Sequence, residues 1–262
     1  MNVLDLFSGI GGFSLGLERA GMRTVAFCEI EPYCRRVLAK HWPNVPCYDD
    51  VRTLTAARLA ADGISVDVIC GGFPCQDISL AGRGAGLAGE RSGLWFEYLR
   101  IIGEVRPRFV IVENVKALLT RGIEAVLGGL ATIGFDAEWD CIPASHLGAP
   151  HNRDRIWIVA YPERREWRQE PYSRALGRMG RQQQSLPWDR HWQDALREFR
   201  RMDDGSSYRV HRVDAIRNAV VPQIPEIIGR AIMKAHSVTE PGDSTKERAL
   251  LLSKSPAEGG KM

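Results

Sequence analysis

Val66-Asp67-Val68-Ile69-Cys70-Gly71-Gly72-Phe73-Pro74-Cys75-Gln76 is an apolar run that stops at two glycines and delivers a cysteine. The run is short, rich in β-branched residues and closed by Gly and Pro, which is the pattern of a buried strand ending in a loop. Cys75 therefore falls at the C-terminal edge of that strand. In open α/β sheets ligands bind outside that edge. A cysteine alone decides nothing, since free Cys is among the most buried residue types and is usually a small core residue.

Outward from this stretch the chain alternates. Val3–Phe7, Thr24–Cys28, Val45–Tyr48, Val66–Cys70, Phe109–Glu113, Ala137–Ile142 and Arg155–Ala160 read as strands. Ser14–Ala20, Glu31–His41, Leu54–Ala61, Leu94–Val105 and Ile123–Ile133 read as helices, the fourth stopped by Pro107. Such alternation predicts an α/β fold, a parallel sheet wound with helices on both faces. Ser79–Gly93 holds five glycines and little periodicity, and reads as a long mobile loop. After Pro162 the character changes. About a dozen Arg with Trp167, Trp188 and Trp192 lie between residues 163 and 217, a plausible nucleic-acid footprint that an Arg-rich solvated surface also fits. Pro222–Ala235 returns to an amphipathic helix pattern. Residues 237–262 are polar and read as disordered.

The 262 residues are 44% hydrophobic and 26% charged, an ordinary globular composition long enough for one large domain and a small insert. The net charge of +3 is compatible with nucleic acid without demanding it. The six cysteines form no C-x-x-C pair and no zinc-ligand spacing, so no metal is expected and the thiols read as free, in a reducing cytoplasm. The N-terminus has no signal-peptide pattern, and no apolar run is long enough to span a membrane.

Four clusters sit at expected strand ends. Asp5-Leu6-Phe7-Ser8-Gly9-Ile10-Gly11-Gly12 carries a strand through a glycine-rich turn into a helix. Its spacing is not G-x-G-x-x-G, which disfavours a nicotinamide dehydrogenase. Glu29 closes the second strand, where an acid can bind ribose hydroxyls. A nucleoside-containing cofactor fits both features, and so do a plain tight turn and a solvated acid. Cys75 is the second cluster. Glu113, after four apolar residues, should share its sheet edge. Arg153 and Arg155 lead into the last strand, where they suit a polar ring oxygen, a phosphate or a surface ion pair.

Taken in order, these stretches resemble the cytosine-5 DNA methyltransferases. Asp5–Gly12 is similar to that family's cofactor loop, Gly72-Phe73-Pro74-Cys75-Gln76 to its nucleophile motif and Glu113-Asn114-Val115 to its base-binding acid. Arg153 and Arg155 match Q-x-R-x-R, with His151 in place of Gln. Asn218-Ala219-Val220-Val221-Pro222 matches a G-N-A-V-x-P pattern, with Arg217 in place of Gly. The R-x-x-T motif that usually precedes it is not visible. Enzymes that methylate amino groups of DNA carry D/N-P-P-Y/F where this chain has Phe73-Pro74-Cys75, and are disfavoured.

The resemblance implies a Rossmann-like S-adenosylmethionine-dependent methyltransferase sheet, acting on a flipped cytosine in double-stranded DNA. Its implied catalytic residues are Cys75, Glu113, Arg153 and Arg155. Its implied cofactor residues are Phe7, Ile10, Gly12, Glu29, Ile30, Asp50, Val51, Pro74, Leu94, Asn218 and Val220, with Asp50 reading the adenine amine. Ser79, Arg83 and Arg91 would touch DNA from the loop. The implied organisation is a catalytic domain over 1–161, a target-recognition region over 162–208 of only about 45 residues, a segment over 209–236 that completes the catalytic domain, and the tail. A monomer is expected, with a companion restriction endonuclease as an allowed partner. Two other readings stay open: the same chemistry on tRNA, and a non-catalytic DNA-binding relative.

Overall fold

A computed structural model describes residues 1–74, 93–149, 152–162 and 218–239. Cys75, Ser79, Arg83, Arg91, Arg217 and nearly all of the expected recognition region lie outside the described residues, as does the tail from 240.

Seven strands form one sheet: β1 (Asn2–Leu6), β2 (Arg23–Cys28), β3 (Cys47–Tyr48), β4 (Val68–Gly71), β5 (Phe109–Val115), β6 (Phe135–Pro143) and β7 (Asp154–Pro162), in the order β3-β2-β1-β4-β5-β7-β6. β1 to β5 are parallel. The expectation of a wholly parallel sheet fails at β7, which runs antiparallel to both β5 and β6. The cause is chain length. Only residues 144–153 separate β6 from β7, and a parallel crossover needs a dozen or more residues. β3 is shorter than expected because Pro46 has no N–H to give to a ladder; its carbonyl still accepts from Phe27.

The helices are α1 (Gly12–Arg19), α2 (Pro32–His41), α3 (Ala56–Ala61), α4 (Gly93–Val105), α5 (Leu118–Arg121), α6 (Ile123–Thr132) and α7 (Gln223–Thr239). α7 continues about one turn past the expected end at Ala235. Alternate residues of each strand face opposite sides. Leu4, Leu6, Ile69, Val110 and Val112 join Trp95, Tyr98, Ile101 and Ile102 of α4 and Val126 and Leu130 of α6 in one core. Val3, Val68, Phe109, Ile111 and Trp157 join Phe13 and Leu17 of α1 and Ile224, Ile228 and Ile232 of α7 in the other.

The chain after residue 217 seats on α1 through small residues. A Cβ on Gly12 would collide with the Val220 carbonyl, and one on Gly16 with the Pro222 carbonyl. A Cβ on Gly229 would lie 2.8 Å from the Ala20 Cβ. Three positions without side chains thus set how closely α7 approaches α1.

β1 lies between β2 and β4, whose connections run to opposite faces of the sheet. That reversal opens a crevice at the strands' C-terminal ends.

Candidate active site

A cleft of about 750 Å³ occupies this crevice. Its size suits a nucleoside-sized ligand with room beside it. One end is built by the turn after β1. Phe7, Gly9 and Gly11 all have positive φ, at 52°, 54° and 85°, so the chain reverses tightly there. The Ser8 hydroxyl closes the turn by donating to the Asp5 carbonyl at 2.6 Å. Glu29, at the end of β2, accepts from the Gly9 N–H at 2.7 Å through Oε2 and from the Glu31 N–H at 2.8 Å through Oε1. Each oxygen keeps a further lone pair for a hydroxyl. Ile30 follows, 64% exposed at the rim of the cleft. An apolar side chain so exposed and so placed is a surface that an aromatic ring can cover.

At the same end, Asp50 opens the turn after β3. Its Oδ1 accepts from the Arg52 N–H at 2.9 Å, and its carbonyl accepts the Thr53 hydroxyl at 3.0 Å. The floor of the cleft is a chain of aromatic contacts. Phe7 packs on Tyr98 at 5.9 Å, Tyr98 on Trp95 at 5.8 Å, and Trp95 on Phe73 at 5.2 Å. α4 therefore supports both the turn after β1 and the segment leading to Cys75.

The other end gathers Glu113, Arg155 and Arg153. β7 runs against β5 in the register Glu113↔Trp157 and Val115↔Arg155, which brings Arg155 beside Glu113. The Arg155 Nε lies 3.1 Å from Glu113 Oε1. Burial pushes the Glu113 carboxyl above its usual range, against the opposing pull of Arg155 and then Arg153. The backbone at Gly72 passes so near that a Cβ there would be 2.8 Å from Glu113 Oε2. Asn114, buried next in line, donates from Nδ2 to the Phe73 carbonyl at 3.0 Å and accepts the Val115 N–H at 2.8 Å. It fastens the root of the Cys75 segment to the end of β5.

Arg153 does something the sequence did not suggest. Its Nη2 donates to the Ala219 carbonyl at 2.7 Å, from a backbone held at φ 30°. It joins the start of β7 to the Asn218-Ala219-Val220 stretch. Burial and the charge of Arg155 lower its pKa from the ordinary arginine value.

Of the expected residues, Phe7, Glu29, Ile30, Asp50, Val51, Pro74, Leu94, Asn218, Glu113, Arg153 and Arg155 line the cleft. Ile10, Gly12 and Val220 are not among its lining residues. Gly12 and Val220 instead pack on each other behind it. Gly9, Phe73 and Asn114, named in the sequence only as parts of motifs and given no role of their own, also line the cleft, as does Arg52, which no motif contains. No group of three or more metal-ligating side chains is present among the described residues. No described helix is long and apolar enough to cross a membrane.

The amino-acid sequence matches a family model for C-5 cytosine-specific DNA methylase over residues 1–214. The chain belongs to that family. Among its curated relatives, the Type II methyltransferase M2.BsuMI of Bacillus subtilis (strain 168) is 34% identical over 168 residues, 61% of this chain and 42% of that protein. The Type II methyltransferase M.NgoBI of Neisseria gonorrhoeae is 32% identical over 164 residues, 61% of this chain and 50% of that protein. The chain thus spans half or less of these relatives. Among solved structures, a candidate DNA modification methyltransferase encoded within an E. coli prophage superposes with a TM-score of 0.53 at 28% identity, over 62% of this chain and 47% of that one. The DNMT2 of Spodoptera frugiperda superposes at 0.54 and 21% identity, over 64% and 51%, a likeness of fold.

Proposed function

We propose that this family member transfers a methyl group from S-adenosylmethionine to carbon 5 of cytosine in DNA, through a covalent adduct on Cys75. The observation that carries the proposal is the buried Glu113 carboxyl, paired with Arg155 at 3.1 Å and pressed against the Gly72 backbone, in the cleft that Phe73 and Pro74 also line. The chain enters Cys75 directly from Pro74.

The residues present fit the cofactor. Ile30 and Phe7 would offer apolar surface to an adenine, the Glu29 carboxylate would accept from ribose hydroxyls, and Asp50 and Val51 would offer polar groups to the adenine edge. No glycine-rich phosphate cradle is needed for a cofactor without phosphates. When bound, S-adenosylmethionine supplies an electrophilic methyl group on a sulfonium.

Carbon 5 of cytosine is too electron-poor to take that methyl unaided. The Cys75 thiolate forms a bond to carbon 6, and the displaced electron pair moves into the ring towards nitrogen 3. Protonated Glu113 donates to nitrogen 3 and neutralises the charge as it forms. Arg155 orients Glu113 and offers its remaining N–H groups to the oxygen on carbon 2. The ring is then an enamine, nucleophilic at carbon 5. As carbon 5 takes the methyl group, with S-adenosylhomocysteine as the leaving group, the proton on nitrogen 3 returns to Glu113; a base then removes the carbon 5 proton, and that electron pair re-forms the 5,6 double bond and expels the Cys75 thiolate. One difficult step becomes two easier ones. The base must leave the helix to reach this cleft, and Ser79, Arg83 and Arg91 are proposed to hold the DNA around it.

Transfer of tritium from labelled S-adenosylmethionine to duplex DNA, with tRNA as the parallel substrate, tests the proposal. Label in duplex DNA and none in tRNA is expected. Label in tRNA alone, or in neither, contradicts it.

A further inference from the structure

Arg100 lies on α4, outside the cleft, yet its guanidinium is committed to the turn that carries Asp50. Its Nη2 donates to the Val51 carbonyl at 3.0 Å and to the Leu54 carbonyl at 2.9 Å. Its Nε and Nη1 are held by Glu97 at 2.7 Å and Glu104 at 2.6 Å, so the fork is fixed in orientation. Glu104 reaches the same turn and accepts the Ala56 N–H at 3.0 Å.

The peptide unit joining Val51 to Arg52 connects this clamp to the cleft. In a trans peptide the C=O and N–H point in opposite directions. Here the C=O meets Arg100 on one side, while the N–H donates to Asp50 Oδ1 at 2.9 Å on the other. One rigid plane is thus held at both ends. The Asp50 carboxylate is hydrogen-bonded to this plane, and the Arg52 Nε lies 3.4 Å from the same oxygen.

We propose that Arg100 is a positioning residue for adenine recognition. It fixes the 51–52 peptide plane, and through that plane it aims the Asp50 carboxylate into the cleft. The inference rests on the cofactor reading above. It adds that selectivity for the adenine amine is set by a side chain that never touches the cofactor.

The test compares S-adenosylhomocysteine with S-inosylhomocysteine, whose base has a carbonyl in place of the amine, by calorimetry on the full chain. Wild-type protein should prefer the adenine compound by tenfold or more, on the order of one lost charge-assisted hydrogen bond. In Arg100→Met that preference should fall by about tenfold, with the adenine compound weakened and the inosine compound little changed. Arg100→Lys keeps the charge but replaces the planar three-nitrogen fork with one nitrogen, and should fall between the two. Arg230→Met, on the exposed face of α7, should match wild type. A merely structural role would lower melting temperature and weaken both compounds alike. An unchanged preference in Arg100→Met overturns the inference; if that variant does not fold, an unchanged preference in Arg100→Lys does so. Wild-type protein that binds neither compound overturns the cofactor assignment itself, and this inference with it.

Discussion

Gly72 and Glu113 sit so close that a methyl group on Gly72 would lie 2.8 Å from the Glu113 Oε2. The glycine has no positive φ to explain it, so space is its reason. On its other side Glu113 is held by Arg155 and cannot retreat without breaking that pair. Gly72→Ala should therefore displace the carboxyl. A misplacement of about 1 Å in a catalytic group costs about 100-fold in rate. We expect that loss in kcat for tritium transfer to DNA, with S-adenosylhomocysteine affinity by calorimetry unchanged. Retained kcat would show that the carboxyl tolerates another position.

Glu113 must be protonated to donate to nitrogen 3, and burial raises its pKa towards that state. The Cys75 thiol must lose its proton to attack. Rising pH helps the thiol and removes the proton from Glu113, so kcat/KM against pH should be bell-shaped, its alkaline limb belonging to Glu113. Glu113→Gln keeps a donor that does not titrate but cannot deliver a proton. It should lose about 100-fold or more in rate and should also lose the alkaline limb. A variant that keeps the limb would assign it to another group.

Arg153 donates to the Ala219 carbonyl. If its role is to hold the 218–220 stretch, Arg153→Met should raise KM for S-adenosylmethionine several-fold while leaving the salt dependence of DNA binding unchanged. A phosphate contact would instead lower the slope of log K against log salt by about one. Fluorescence anisotropy across a salt series separates the two.

Asp5 is wholly buried under α1, and burial raises its carboxyl pKa to about 7 despite the Ser14 hydroxyl donating at 2.7 Å. Among the described residues its Oδ1 accepts no N–H or O–H, and the Cys70 thiol gives the carboxyl only a weak hydrogen bond. Between about pH 4 and pH 7 the folded chain holds a proton there that the unfolded chain has lost. The favourable contribution of this proton is therefore complete at low pH and is lost as pH rises through about 7. Asp5→Asn removes the titration and keeps an acceptor for Ser14. Relative to wild type it should gain stability from pH 4 to pH 8, by roughly 4 kcal/mol at most. Denaturant unfolding of both proteins across that range checks it. A stability difference that does not change with pH would mean that Asp5 titrates normally.

The sheet was legible because its parallel strands are short apolar runs, and the crevice followed from where those runs end. β7 was misread for direction because an isolated apolar strand carries no sign of its sense. That sense lay in the ten-residue spacing from β6 to β7. Glu113 and Arg155 could be placed at one sheet edge since both lie at strand ends, but their ion pair is visible only in the fold. Arg153 is expected from the sequence to hold a ring oxygen or a phosphate; in the fold it lines the cleft and donates to the Ala219 carbonyl, and no side-chain pattern marks a backbone acceptor. Arg100 was invisible for the same reason: on a helix with Glu97 and Glu104 nearby it reads as an ordinary surface ion-pair network. Gly72 stood in the decisive stretch, yet only the fold shows that its missing side chain is room for Glu113.

The proposed chemistry can be caught midway. Fluorine at carbon 5 cannot leave as a proton does, so a cytosine carrying it should stay bonded to the nucleophile after methylation. The full chain should be incubated with S-adenosylmethionine and a mixed-sequence duplex containing 5-fluorocytosine, then denatured, digested and analysed by mass spectrometry. A denaturation-resistant protein–DNA adduct that maps to Cys75 and is absent in Cys75→Ala is expected. An adduct on another residue, or equal methylation of ordinary DNA by Cys75→Ala, would contradict the proposed chemistry.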